Sequence, residues 1–209
     1  MIIDYTPYLA CSDPYAHRSV MTAIVKVESG GNPWAINVNK KGVRLLAQAK
    51  TKEQAEAWIR WFVLNGYNID IGIAQINIKN IQKMNIEPTL LLDPCLNLKI
   101  ASQILLKNYQ STSKLAKNSD DAVKLAISAY NTGNYRSGFY NGYVSRVMNK
   151  YYGKSDKFTP PIDVIKSNNY SNNNVSKIKK NNTYAAKNSN PNFSEIKVDL
   201  WKRYDSNNQ

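Results

Sequence analysis

The sequence predicts a mainly α domain with a small β region, followed by a tail that builds no core. Three observations carry this. Apolar residues recur at three/four spacing in several separate stretches, recognisable start and stop residues bound those stretches, and the composition changes after Gly153. At 209 residues the chain is long enough for one domain with a full core plus an appendage. The division expected is a domain over 9–153 and a tail over 154–209.

The first helix carries Val20, Ile24 and Val27 on one face and ends at Gly30-Gly31, with Pro33 preventing its resumption. A short alternating pattern over 36–46, with a Lys41-Gly42 turn, reads as a small hairpin. Thr51-Lys52-Glu53-Gln54 fits a capping box, Ala55, Trp58, Ile59 and Phe62 mark the buried face of the helix it opens, and Asn65-Gly66 closes it. Asp93-Pro94 opens a helix with Leu98, Ala101 and Leu105 inward and an end near Tyr109. Ser119-Asp120-Asp121 caps the next, striped by Val123, Ile127 and Tyr130 and stopped at Asn131-Thr132-Gly133. The last runs from Tyr143 to Tyr151 with Val144, Val147 and Met148 apolar.

Beyond Gly153 the stretch 168–182 is rich in Asn, Ser and Lys, which cannot bury enough surface to offset the entropy of ordering; a disordered tail is expected. Within it, Phe193, Ile196, Val198, Leu200 and Trp201 form an apolar patch that reads as a sticky end or a docking strand for a partner.

Charge and cysteines narrow the function classes. A net charge of +13 favours an anionic partner such as nucleic acid, a membrane surface or cell-wall polymer. The basic residues are scattered over the chain rather than stacked on one helix, which argues against a nucleic-acid groove binder. No run is long and apolar enough to span a membrane. The opening Met1-Ile2-Ile3-Asp4 has neither a basic nor an apolar leader region, so either a signal peptide has been removed or export does not use that route. Cys11 and Cys95, with His17 the single histidine, make no metal-binding pattern, and no metal or cofactor is expected. The two cysteines form either one disulfide, which implies an oxidising compartment, or two unrelated buried thiols.

Glu28 is the residue with chemistry to offer. It follows Ile24 by one turn, so it sits at the edge of a buried stripe on the last turn of its helix. Poor hydration and the helix C-terminal dipole both disfavour its anion and raise its pKa toward neutrality. A surface glutamate in a last turn is the plain alternative.

Three stretches in order give this acid a context: Glu28-Ser29; Asn68-Ile69-Asp70-Ile71-Gly72-Ile73-Ala74-Gln75-Ile76-Asn77; and Ala129-Tyr130-Asn131-Thr132-Gly133. Together they resemble the lysozyme-like lytic transglycosylases, whose SLT domain has a goose-type lysozyme-like fold. With Asn32-Pro33-Trp34-Ala35-Ile36, the helical insertion and Asp93-Pro94-Cys95-Leu96-Asn97-Leu98, the pattern is similar to the VirB-type members serving type IV secretion and conjugation. The resemblance covers about residues 9–152. In that group the cysteine at 95 is joined to one near the N-terminus, which implies a Cys11–Cys95 disulfide.

The resemblance further implies cleavage of the β-1,4 bond between N-acetylmuramic acid and N-acetylglucosamine in peptidoglycan, in the periplasm or cell envelope, with type IV secretion components as partners through the tail. Glu28 matches the single catalytic acid of such enzymes. Tyr130 would orient it, and Ser29 would hold it or the glycan. Gly72 would let a sugar approach the backbone, Gln75 and Asn77 would offer amides to N-acetyl groups, and Asn131 would brace the loop. The wider family's Met in Gly-Leu-Met-Gln is Ala74 here, implying a weaker apolar contact to the sugar. The stretch around Asp70 also resembles the second-carboxylate segment of animal-type lysozymes. Asp70 is therefore either a second catalytic carboxylate, giving a muramidase, or a partner of the turn before Gly72. A non-catalytic secretion scaffold is a further alternative, against which the retained Glu28 speaks.

Overall fold

A computed structural model describes residues 2–153 of the chain. The tail 154–209, with the docking patch read from its sequence, lies outside the described residues. The order of elements is α1 (Arg18–Glu28), β1 (Ile36–Val38), α2 (Lys52–Leu64), β2 (Ile69–Ile71), β3 (Ile76–Asn77), α3 (Ile78–Gln82), α4 (Pro94–Thr112), α5 (Ser119–Thr132), α6 (Ser137–Tyr140) and α7 (Tyr143–Tyr152).

The helix starts follow the side chains that satisfy their first N–H groups. Thr51 accepts from the Gln54 amide at 3.2 Å, while Gln54 Oε1 accepts in return from the Lys50 N–H at 2.8 Å. Asp93 accepts from the Leu96 N–H at 2.7 Å, with Pro94 in the first turn where it forfeits no bond. On α5 the cap is Asn118 rather than Ser119; its Oδ1 accepts from the Asp121 N–H at 2.8 Å, and Ser119 is already helical. α4 also extends to Thr112, past Tyr109, because the buried Thr112 hydroxyl donates to Ala122 O at 2.8 Å and ties the helix end to α5.

The core is built where α4 packs along α5 and α1 along α7. Ile24, Ile59, Ile71, Leu98, Ile127 and Val147 are all sealed from water within it. Full burial of one such side chain stabilises the fold by roughly 1.5–3 kcal/mol before entropy is counted. Cys11 and Cys95 are joined by a disulfide across 5.2 Å between Cα atoms, which fastens the N-terminal segment to the first turn of α4.

The small β region corrects one expectation. Residues 36–46 do not fold back on themselves. β1 instead pairs antiparallel with β2, placing Ile36 opposite Ile71, Asn37 opposite Asp70 and Val38 opposite Ile69; β2 pairs in turn with β3, placing Asp70 opposite Asn77. All of α2 is thus inserted between two neighbouring strands. The pairing follows from period-two burial: the isoleucines and Val38 point into the core, which leaves Asn37, Asp70 and Asn77 as one polar row across the opposite face.

Candidate active site

The polar row of the sheet faces the end of α1, and the space between them is a cleft of about 410 Å³. Glu28 and Asp70 are the two carboxylates on its wall. Most of the remaining polar lining is amide: Asn32, Asn37, Asn39, Gln48, Gln75 and Asn131, with Ser29 beside the acid. Such a lining offers paired donors and acceptors without net charge, the complement of an uncharged, amide-bearing ligand.

Glu28 ends α1 and is half-buried. Its Oε1 accepts a hydrogen bond of 2.5 Å from the Tyr143 hydroxyl, delivered by the first residue of α7. Burial pushes the Glu28 pKa up to about 7; the Tyr143 bond pulls it down, the charge of Asp70 raises it, and Arg146 lowers it. Tyr143 is itself fully buried, and burial together with the neighbouring Glu28 charge drives its pKa well above the ordinary value, so it remains a donor. The Arg146 guanidinium lies 5.8 Å from the centre of the Tyr143 ring and donates to Asn141 O at 3.1 Å.

Ser29 locks the acid's segment to the β2–β3 turn: its hydroxyl donates to Ile73 O at 2.7 Å and accepts from the Gly31 N–H. Asp70 hydrogen-bonds neither to that turn nor to Glu28. It accepts from Asn77 Nδ2 at 2.7 Å and from Asn37 Nδ2 at 3.3 Å, so its carboxylate is held along the polar row while still facing the cleft. Gln75 lines the cleft in a left-handed conformation, with φ of 50°, a strain of about 1 kcal/mol for a side-chain-bearing residue. Its Nε2 donates to Ala35 O at 3.0 Å and Gly72 O at 2.9 Å, offsetting that strain. Asn131, exposed at the rim, accepts from Asn141 Nδ2 at 2.9 Å and so braces the loop before α7.

Three sequence expectations, for Tyr130, Gly72 and Asn77, are corrected by this geometry. Tyr130 does not bond to Glu28; its hydroxyl donates to Ala74 O at 2.7 Å, and the hydroxyl on the acid belongs to Tyr143. Gly72 is buried, and its missing side chain makes room for protein rather than sugar: a Cβ there would lie 2.1 Å from Asn97 Nδ2 and 2.4 Å from Leu91 O. Asn77 has its amide committed, donating to Asp70 and accepting from the Lys79 N–H as the cap of α3. Ala74 is wholly buried and so presents nothing to a ligand.

Asn97 is the residue that sequence reading quoted without assigning. Buried in α4, it donates to Ile71 O and Leu91 O, each at 2.9 Å, and accepts from the Ala74 N–H at 3.0 Å. It holds the β2–β3 turn from beneath, as Tyr130 does from the side. A polar residue within the Leu98–Ala101 stripe was its signal, because a buried amide must find partners. Tyr143 had a similar signal, an aromatic hydroxyl at the start of an apolar helix face. Among the described residues no group of three or more His, Cys, Asp or Glu side chains could hold a metal ion.

The transglycosylase SLT domain family matches residues 10–153, the whole of this helical unit and its cleft. The chain belongs to that family. The chain is also 35% identical over 158 residues to the type IV secretion system protein virB1 of Brucella suis, covering 73% of this chain and 64% of that one. Protein virB1 of Rhizobium radiobacter is 37% identical over 134 residues, covering 64% and 55%, and protein virB1 of Agrobacterium fabrum 34% over 149 residues, covering 71% and 58%. The chain thus spans less than two thirds of the length of these relatives. No solved structure gives a significant match. No helix of the SLT domain, among the described residues, is long and apolar enough to cross a membrane.

Proposed function

We propose that the protein is a peptidoglycan lytic transglycosylase that cleaves the bond between N-acetylmuramic acid and N-acetylglucosamine and leaves 1,6-anhydromuramyl ends. The observation that carries this reading is Glu28, whose pKa of about 7 populates acid and carboxylate alike at neutral pH. A one-carboxyl mechanism needs both forms in turn. With Tyr143 on Oε1, the proton resides on Oε2 and passes to the glycosidic oxygen as its bond to the anomeric carbon breaks. The carboxylate then takes the proton of the muramyl 6-hydroxyl while that oxygen bonds to the same anomeric carbon, which regenerates the acid. The nucleophile is tethered to the reacting ring, so no water has to be activated. The amide of Asn131 at the rim of the cleft suits the N-acetyl groups of the strand.

The site of action is the cell envelope: the disulfide fits an oxidising compartment, and the Brucella suis relative is a type IV secretion system protein. Local wall opening for such an apparatus is the role proposed, with secretion components engaged through the tail.

A muramidase using Glu28 and Asp70 is the second reading, favoured by the presence of Asp70 in the same cleft. Mass analysis of muropeptides released from purified peptidoglycan decides between them. Anhydro ends, one water lighter than reducing ends, support the transglycosylase; reducing ends support the muramidase. An absence of release by the wild type would favour a non-catalytic scaffold.

A further inference from the structure

Asn141, in the loop before α7, is exposed to water, yet the protein engages each of its polar groups. Its Nδ2 donates to Asn131 Oδ1 at 2.9 Å, and its Oδ1 accepts from the Tyr143 N–H at 2.9 Å. Its backbone N–H donates to Ser137 O at 3.1 Å, and its carbonyl accepts from Arg146 Nη1 at 3.1 Å. A surface asparagine ordinarily turns its amide to water. This one turns it to two residues on which the cleft depends.

The bond to Tyr143 follows from the way α7 begins. The first N–H groups of a helix have no partner within it. Gly142, in the capping position with φ of 74°, has no side chain to supply one. Asn141 reaches past it and takes the N–H of the buried Tyr143. Tyr143 is therefore held at both ends, by Asn141 at its backbone and by Glu28 at its hydroxyl. The other bond runs to Asn131, in the last turn of α5 and at the rim of the cleft. One amide thus connects a cleft-lining side chain to the donor that rests on the acid.

We propose that Asn141 is a positioning residue that sets Tyr143 against Glu28 through its oxygen and aims Asn131 at the glycan through its nitrogen. This rests on the glycan-cleaving reading above and adds to it a residue that acts on turnover and affinity without touching the substrate. The two effects are separable, because oxygen and nitrogen serve different partners. Loss of the oxygen loosens Tyr143 and lowers kcat; loss of the nitrogen loosens Asn131 and raises KM.

The test uses the full chain and uncrosslinked glycan strands. It compares kcat, KM and pH profiles of the wild type, Asn141→Ala, Asn141→Ser, Tyr143→Phe and the double variant Asn141→Ala with Tyr143→Phe. Asn141→Ala should lower kcat by about tenfold and raise KM by about fivefold. The alkaline limb of kcat/KM should move to higher pH, because the Tyr143 bond that holds the Glu28 pKa down is weakened. The other groups around Glu28, Asp70 of β2, Tyr130 of α5 and Arg146 of α7, are unchanged, and Arg146 keeps its bond to the backbone at 141. Asn141→Ser retains an oxygen for the Tyr143 N–H but is too short for Asn131, so it should recover most of kcat and return the limb while KM stays high. In the Tyr143→Phe background, Asn141→Ala should move the limb no further. An unmoved limb in Asn141→Ala with strands still cleaved overturns the proposal and leaves the enzyme reading intact. So does a shift that adds in full to that of Tyr143→Phe, or a serine variant no better than alanine. An absence of cleavage by the wild type sinks both.

Discussion

The hydroxyl of Tyr143 and the carboxyl of Glu28 meet at 2.5 Å, joining the first residue of α7 to the last residue of α1 across 115 positions of sequence. Each group needs the other: a buried phenol without an acceptor is costly, and a buried carboxyl without a donor would lose its fixed orientation. The proton that the proposed chemistry moves is governed by this pair.

Tyr143→Phe removes a bond that pulls the Glu28 pKa down, so that pKa should rise. The alkaline limb of kcat/KM is then expected to move to higher pH while kcat falls by about tenfold or more. Tyr130→Phe serves as the contrast. It deletes the bond to Ala74 O and should cost about 1 kcal/mol of stability without the same displacement of the limb. Rate profiles from pH 5 to about 9 and thermal melts of both variants check this.

Glu28→Gln should reduce turnover by at least about a hundredfold, the scale of a lost general acid. Its stability carries a second signature. The folded-state pKa, about 7, lies above the ordinary glutamate value of 4.5, so the native wild type binds more protons than the unfolded chain between these values. Stability is therefore full below about 4.5 and declines as pH rises through 7. The glutamine variant lacks this decline and should melt higher than the wild type above neutral pH, by an amount on the order of 3 kcal/mol at most. Calorimetry on the two proteins at pH 5 and about 8 measures the difference.

Asp70→Asn separates the two catalytic readings. Removal of its charge takes away one of the influences raising the Glu28 pKa, so the alkaline limb should move to lower pH. As a transglycosylase the variant should keep activity within about tenfold and continue to release anhydro ends. Loss of all turnover would point to the two-carboxylate hydrolysis. The product masses and the pH profile of one preparation give both answers.

Gly72→Ala is expected to be severely destabilising, by about 3 kcal/mol or more, although it adds a single methyl group. The backbone there has φ of 82°, and the new Cβ would fall within 2.4 Å of Leu91 O as well as against Asn97. Denaturant unfolding of the variant provides the check; tolerance of alanine would contradict the tight approach of α4 to the turn.

Much of this architecture was legible from residue patterns, and the limits have physical causes. Thr51 and Asp93 announce their helices because caps are local interactions. Glu28 stood out because burial follows from its place on the stripe. Strand partners did not emerge: Ile36–Val38 has the same alternation whether it pairs with residues in the forties or with Ile69–Ile71, and only tertiary packing decides. Tyr130 and Tyr143 present the same difficulty, since both begin or continue apolar helix faces. Which hydroxyl reaches the acid depends on how α7 lies against α1, a long-range fact with no local mark.

Asn97, the clasp beneath the β2–β3 turn, lies two residues after Cys95. The disulfide and the clasp therefore share the first turn of α4. Opening the bond frees a loop of 84 residues and forfeits about 4 kcal/mol by chain-entropy reasoning. With the Asn97 clasp two residues from the broken link, a reduced molecule should lose any turnover at temperatures below its melt. Activity that persists unaltered in full reductant, with both thiols verified free, would break that link.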